Sequence, residues 1–356
     1  MGVRADGGIQ QVLARLRAAR DAAEVFGPVQ TEEELGRAYR RAARACHPDL
    51  HPVDNPAAQE AFVRLTRWHA LAREQLRTGA YGQQPSGPTV RLRHNGRVYE
   101  VQPAIAFRGE FANVYRAAYE GLPVAVKVAR QARDNDLLAG ERTALRRIGR
   151  RVEARYRPFF PGLLDSLAYE DEGGEQRAAN VLTWVGGAYT LDEVRQEYVT
   201  GVDPKDVAWI WRRLLVALGA AHRAGMVHGA VLPPHVCVLP AEHGLVLIGW
   251  TGAVEAGRPI RAISSADERW YPKEVMDKEP ATPATDVAMG ARCMLFLLGE
   301  DAPAALSRFY RGCMLPSPRQ RPQDAWALLR EFDEVLARLW GQRRFHPFAV
   351  PAPCPR

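Results

Sequence analysis

Apolar positions in the stretch TEEELGRAYRRAARACHPD, residues 31 to 49, recur every three or four residues: Leu35, Ala38, Tyr39, Ala42, Ala45 and Cys46. That period predicts a helix with one buried face. Thr31 followed three residues later by Glu34 makes a capping box at its start. Arg37, Arg40, Arg41 and Arg44 fall together on the other, solvent-facing side. Asn55 as cap and Pro56 at a first helical position announce a second helix, with Phe62, Leu65, Trp68, His69 and Ala72 as its apolar stripe. Two amphipathic helices joined by a short loop cover their stripes by packing antiparallel. The segment TGAYGQQPSGPTV, residues 78 to 90, then has the Gly, Pro, Gln and Ser of a linker.

Beyond the linker the period changes to two. TVRLRHNGRVYEVQ alternates about Asn95-Gly96, the commonest hairpin signal, and FRGEFANVYRAAYEGLPVAVKVA predicts two more strands joined at Glu120-Gly121. A strongly twisted antiparallel sheet is expected. DLLAGERTALRRI returns to helical period with Leu138, Glu141, Leu145 and Ile148 on one face. A glutamate inside an apolar stripe needs a partner, because an unpaired buried carboxylate is costly. Lys127, at the end of VAVK, is the candidate.

Composition narrows the class. With 356 residues and 47% hydrophobic content, the chain can build two or three domains with their own cores. Its longest apolar run, CMLFLLG, falls far short of the roughly 20 residues that span a bilayer. The start MGVRADGGIQ lacks a signal-peptide core, so a cytoplasmic protein with no membrane role is expected. Five scattered cysteines without C-x-x-C spacing suggest neither disulfides nor zinc. The charge of +7 admits a nucleic-acid partner. Only four of the 48 basic residues are Lys, however (Lys127, Lys205, Lys273, Lys278), so the Arg and Ala excess reads as coding bias rather than a binding face. Where lysine is this rare, Lys127 stands out.

The first helix and its loop carry a specific pattern: A-Y-R-x-x-A-x-x-x-H-P-D, preceded by EVFG and followed by an F-x-x-L helix. This resembles the J domain of DnaJ-type co-chaperones over roughly residues 8 to 80. The resemblance implies that Arg37, Arg40, Arg41 and Arg44 with His47, Pro48 and Asp49 dock on a DnaK-type chaperone and trigger its ATP hydrolysis. The third-helix segment RWHALAREQL departs from the family's N-E-A-Y. No glycine-rich region or CxxCxGxG repeat follows, so the client is set by the rest of the chain.

That remainder resembles a protein kinase domain. VAVK would supply the phosphate-pairing Lys127, held by Glu141. Aligning Val114 with the valine of the glycine-rich loop puts Phe107, Gly109 and Ala112 at the three glycine positions, so only Gly109 survives. Trp184 to Gly187 fall at the hinge, and DVAWIWRRLLVALGAAHRAG reads as a long buried helix. In HGAVLPPH the catalytic aspartate is replaced by Ala230 and the metal-binding asparagine by His235. GLVLIGWTG places Gly249 where the family has the magnesium-binding aspartate. Glu274, Asp286 and Arg321 match the family's structural residues.

The expected fold class is therefore multidomain: an α-helical J domain (1-80), a linker (81-92), an α+β bilobal protein kinase-like fold (93-342) and a tail (343-356). The expected function is a J-domain co-chaperone that recruits and stimulates a DnaK-type chaperone, with a catalytically dead pseudokinase domain binding an unknown client. No metal or cofactor is expected beyond weak, metal-independent ATP binding at Gly109, Lys127 and Glu141. Two alternatives stay open: a weakly active or nucleotide-regulated kinase-like phosphotransferase, and a basic nucleic-acid-binding adaptor.

Overall fold

The computed structural model describes residues 3–46, 56–77, 79–82, 88–171, 173–300, 302–342 and 348–350. The chain divides into two compact units, one of Met1–Gly109, Asn113–Val128 and Val181–Gly187, the other of Glu110–Ala112, Ala129–Asn180 and Ala188–Arg356.

The first unit opens with helices α1 (Val3–Ala18), α2 (Ala22–Phe26), α3 (Glu32–Cys46) and α4 (Pro56–Arg77). Tyr39 meets Thr66 and His69 while Glu32 meets Arg73, so α3 and α4 run antiparallel. Leu35, Leu65, Trp68 and Ala72 are buried in the shared core; Ala45 is exposed instead. Thr31 Oγ1 accepts from the Glu34 N–H at 3.2 Å, but the Glu34 carboxylate reaches one residue further back, to the N–H of Gln30 at 2.8 Å. Helix α1 buries Ile9, Leu13 and Leu16, spaced i, i+4, i+7 along one helical face with Val12 packed beside them.

Strands β1 (Val90–His94), β2 (Arg97–Arg108), β3 (Ala112–Tyr119) and β4 (Leu122–Ala129) follow as sheet neighbours in that order. The turns Asn95-Gly96 (φ 48°, 73°) and Glu120-Gly121 (φ 49°, 74°) both take the left-handed conformation that tight hairpins need. The second turn is also the seat of the helices. Leu122 is buried in the helical core beside Trp68. Arg64 donates to Glu120 at 2.6 Å and Arg67 to the carbonyl of Pro123 at 3.3 Å. A Cβ on Gly121 would lie 2.5 Å from the carbonyl oxygen of Ala19 and 2.9 Å from the Trp68 ring, so the close approach itself requires glycine.

In the second unit α5 (Asn135–Arg151) precedes strands β5 (Leu163–Glu170) and β6 (Gln176–Thr183), which pair, β6 belonging to the first unit from Val181 on; β7 (Tyr189–Thr190) and α6 (Leu191–Glu197) follow. Helix α7 (Pro204–Arg223) starts at the Asp203 cap with Pro204 in its first turn and stops before Gly225, φ 80°. It is buried along most of its length because other helices cover it. After β8 (Met226–Val227) come β9 (Val236–Leu239), β10 (Gly244–Leu247) and β11 (Val254–Glu255), in small sheets ordered β10-β9-β7 and β11-β8. Helices α8 (Lys273–Met276), α9 (Pro283–Leu298), α10 (Ala304–Gly312) and α11 (Ala325–Trp340) complete the unit, α9 and α11 packing against α7. No described helix is long and apolar enough to cross a membrane.

Candidate functional site

The loop between β8 and β9 is held by a buried carboxylate. Asp286 on α9 is fully buried and accepts the N–H of His228 at 2.8 Å and of Gly229 at 2.9 Å. It also lies 2.8 Å from Nε2 of His222. Gly229 turns at φ 73°, where a Cβ would meet the Gly252 carbonyl at 2.5 Å. His228 Nε2 donates to the Ile248 carbonyl at 2.8 Å, leaving its Nδ1 to accept from Ala230 N at 3.2 Å.

Ala230, His235 and Gly249 converge next to this anchor, and they are packed against one another. His235 Nδ1 donates to the carbonyl of Ala230 at 2.8 Å. A Cβ at Gly249 would fall 2.5 Å from two carbons of the His235 ring, so the imidazole fills the place where a side chain at 249 would begin. Gly249 itself sits at φ 79°. Trp250 is fully buried next door, its indole donating to the Leu247 carbonyl at 2.8 Å and its ring 4.5 Å from that of His228. Among the described residues there is no group of three His, Cys, Asp or Glu able to hold a metal ion. The described cysteines offer no nucleophile either: all four are buried, and burial pushes the thiols of Cys237 and Cys313 up to about 12.

On the first unit, Phe107, at the first glycine position of the resemblance, and Trp184, at its hinge, are brought together. Phe107 pairs across the strands with Val114, and its ring stacks on Trp184 at 6.0 Å between centroids. The Arg116 guanidinium lies 4.5 Å from the centre of the Trp184 ring. Gly109 follows β2, and Lys127 is half-buried on β4. Glu141 is buried on α5 in the second unit, where Asn180 donates to it at 3.0 Å and to the Leu138 carbonyl at 3.0 Å. That partner is missed from sequence; its only signal is one amide in the apolar run AANVLT.

Glu274 and Arg321 form a buried bidentate pair, with contacts of 2.5 and 3.1 Å. Arg321 also donates to the carbonyls of Leu315 and Pro316, so four of the five N–H groups of this buried charge are bonded here. On α3, Arg37, Arg40, Arg41 and Arg44 are all exposed, Arg37 pairing one helical turn back with Glu33 at 2.6 Å. His47, Pro48 and Asp49 lie outside the described residues.

No family model matches the chain. Among solved structures, vaccinia related kinase 3 is similar with a TM-score of 0.58 and 16% identity, over 72% of this chain and 93% of that one. The kinase domain of BubR1 is similar with a TM-score of 0.56 and 15% identity, over 71% of this chain and 84% of that one. A helical N-terminal region is thus followed by a protein kinase-like fold. At these identities the likeness concerns the fold alone.

Proposed function

We propose that this chain is a J-domain co-chaperone whose kinase-like part is a noncatalytic binding module, bringing a DnaK-type chaperone to a protein client. The observation that carries the noncatalytic half is the packing of His235 into the space of the residue-249 side chain. Phosphoryl transfer relies on magnesium bound by hard oxygen ligands and on a base for the acceptor hydroxyl. Here the corresponding positions are an imidazole, a glycine and an alanine. A general base alone is worth roughly 10² to 10⁴ in rate. The co-chaperone half is supported by the exposed arginine row on α3 and by the His-Pro-Asp sequence directly after it.

The test uses the full chain and a DnaK-type chaperone in steady-state ATPase assays. Stimulation is expected with the wild-type chain and not with His47→Gln. A folded His47→Gln chain that stimulates fully overturns the co-chaperone reading. Retention of Lys127 and of the buried Glu141 favours a second reading, a residual phosphotransferase. Transfer of the γ-phosphate with Mg²⁺ or Mn²⁺, lost on Lys127→Ala, would establish that reading instead.

A further inference from the structure

The tail FHPFAVPAPCPR carries neither helical nor strand period, and its three prolines after Phe348 deny it a ladder. Phe348 is nevertheless buried, at 6% exposure. Its ring stacks on Tyr198 with centroids 6.0 Å apart and planes 20° from parallel, and meets Trp209 edge-on at 5.7 Å. Trp209 in turn stacks on His243 at 4.7 Å. Beside the ring, the Tyr198 hydroxyl donates to the carbonyl of Ala349, so the surface holds the backbone of the tail as well as its side chain.

The three receptor residues come from elements that the fold fixes without the tail. Tyr198 ends α6, its N–H bonded to the Val194 carbonyl, and Arg195 donates to the Tyr198 carbonyl from the same turn. Trp209 lies in the second turn of the buried helix α7. His243 is in the β9–β10 turn, pinned by Arg213 through its carbonyl at 2.9 Å. A preformed aromatic surface with one backbone acceptor met by a hydroxyl is the anatomy of a short-peptide site. The sequence has prolines on both sides of the anchor, at 347 and 351, and proline's fixed φ leaves a free chain less conformational entropy to lose on docking.

We propose that Tyr198, Trp209 and His243 form a docking site for an extended, aromatic-anchored peptide, and that the chain's own tail is its resident ligand. The site is independent of the chaperone and phosphotransfer readings. Tethering gives the tail an effective concentration of about millimolar, so a competing segment binds only as the tail releases. Among the described tail residues Phe348 supplies most of the anchor, because an aromatic ring buries more apolar surface than Ala349 or Val350.

The probe is a labelled synthetic peptide of residues 342–356 with serine at position 354. It is titrated by fluorescence anisotropy against the full wild-type chain and the full chain carrying Phe348→Ala. The variant is expected to bind it at least about tenfold more tightly than the wild-type chain, whose site is filled. A Phe348→Ala peptide is expected to bind about tenfold more weakly or worse, the scale on which burial of one phenylalanine operates. Adding Trp209→Ala to the variant is expected to abolish binding. Equal binding of the two peptides, or binding unaffected by Trp209→Ala, overturns the proposal. Hydrogen exchange on the unmodified chain gives a second readout that needs no variant. Amides 348–350 are expected to exchange at least about tenfold faster than those of α7, by local opening. Exchange of both only on global unfolding would make Phe348 an ordinary core residue. A dimer that dissolves on Phe348→Ala would assign the tail to a second copy and overturn the resident-ligand assignment.

Discussion

The substitution Gly249→Ala tests the packed-shut site with the smallest possible probe, one methyl group. Two costs are separable in the structure. Residue 249 sits at φ 79°, where an L side chain costs about 1–2 kcal/mol whatever surrounds it. The new Cβ would also stand 2.5 Å from the His235 ring, which cannot drift freely because Nδ1 is bonded to the Ala230 carbonyl at 2.8 Å. Forcing a group into a packed interior typically costs about 1–3 kcal/mol. Gly249→Ala should therefore destabilise by about 2–5 kcal/mol, the sum of the two. In a His235→Ala background the second cost disappears and only the backbone cost remains. The lost hydrogen bond of His235 is common to the single and double variants, so it cancels in the cycle. Urea denaturation followed by tryptophan fluorescence reads the four stabilities, Trp250 being fully buried beside the site. A coupling of about 1–3 kcal/mol is expected. The same penalty in both backgrounds would refute the argument that the imidazole occupies the space of residue 249.

Arg321→Ala should cost about 3–5 kcal/mol by leaving Glu274 buried and alone, and Arg321→Lys should restore only part because one ammonium cannot match a bidentate fork. An unchanged melting curve for Arg321→Ala would contradict this. His69 gives a pH signature. Burial, with Phe26 and Tyr39 rings nearby, and then the charge of Arg73, outweigh Glu32 and hold its imidazole down at about 4. A folded pKa below the unfolded one near 6.5 means that the unfolded chain binds the extra proton. Its stabilising effect is then complete above about pH 6.5 and drains away as pH falls toward 4; half-exposure limits it to about 1–2 kcal/mol. His69→Phe should flatten stability across that window, and an unaltered slope would refute the assignment. Finally, millimolar ATP with Mg²⁺ should shift the melting temperature little, whereas a ligand at 100 times its dissociation constant adds about 2.7 kcal/mol. A large magnesium-dependent shift would favour the nucleotide-regulated alternative over the noncatalytic binding module.

The parts of this molecule legible in its sequence are those fixed by local chemistry. Helices α3, α4 and α5 follow from apolar period, and both hairpin turns from pairs that end in a glycine, which takes positive φ freely. What sequence could not carry is complementarity between distant residues. Gly121 reads locally as a turn glycine, yet the carbonyl of Ala19, a hundred or so positions away, independently forbids a Cβ there. Glu141 announces that it needs a partner without saying that Asn180 provides one. Phe348 lies in a segment with no period at all, and only the rings of Tyr198 and Trp209 give it a place.

Gly249 and His235 carry that point into function. On the proposed reading they are, along the chain, two separate absences, each of an oxygen ligand. In space they are one feature, since the ring of the second fills the volume vacated by the first. Restoring an aspartate at 249 alone would drive its Cβ into the imidazole. Replacing His235 alone would remove its bond to the Ala230 carbonyl and leave a cavity without creating a metal ligand. Either single substitution thus lowers stability without by itself assembling a magnesium site, and on the proposed reading Ala230 would still lack the carboxylate of a base. The strut that holds the loop, Asp286 on His228 and Gly229, serves the packed arrangement as well as it would an active one. The fold's stability and its chemistry are therefore separable here, and the packing around His235 favours keeping the first without the second.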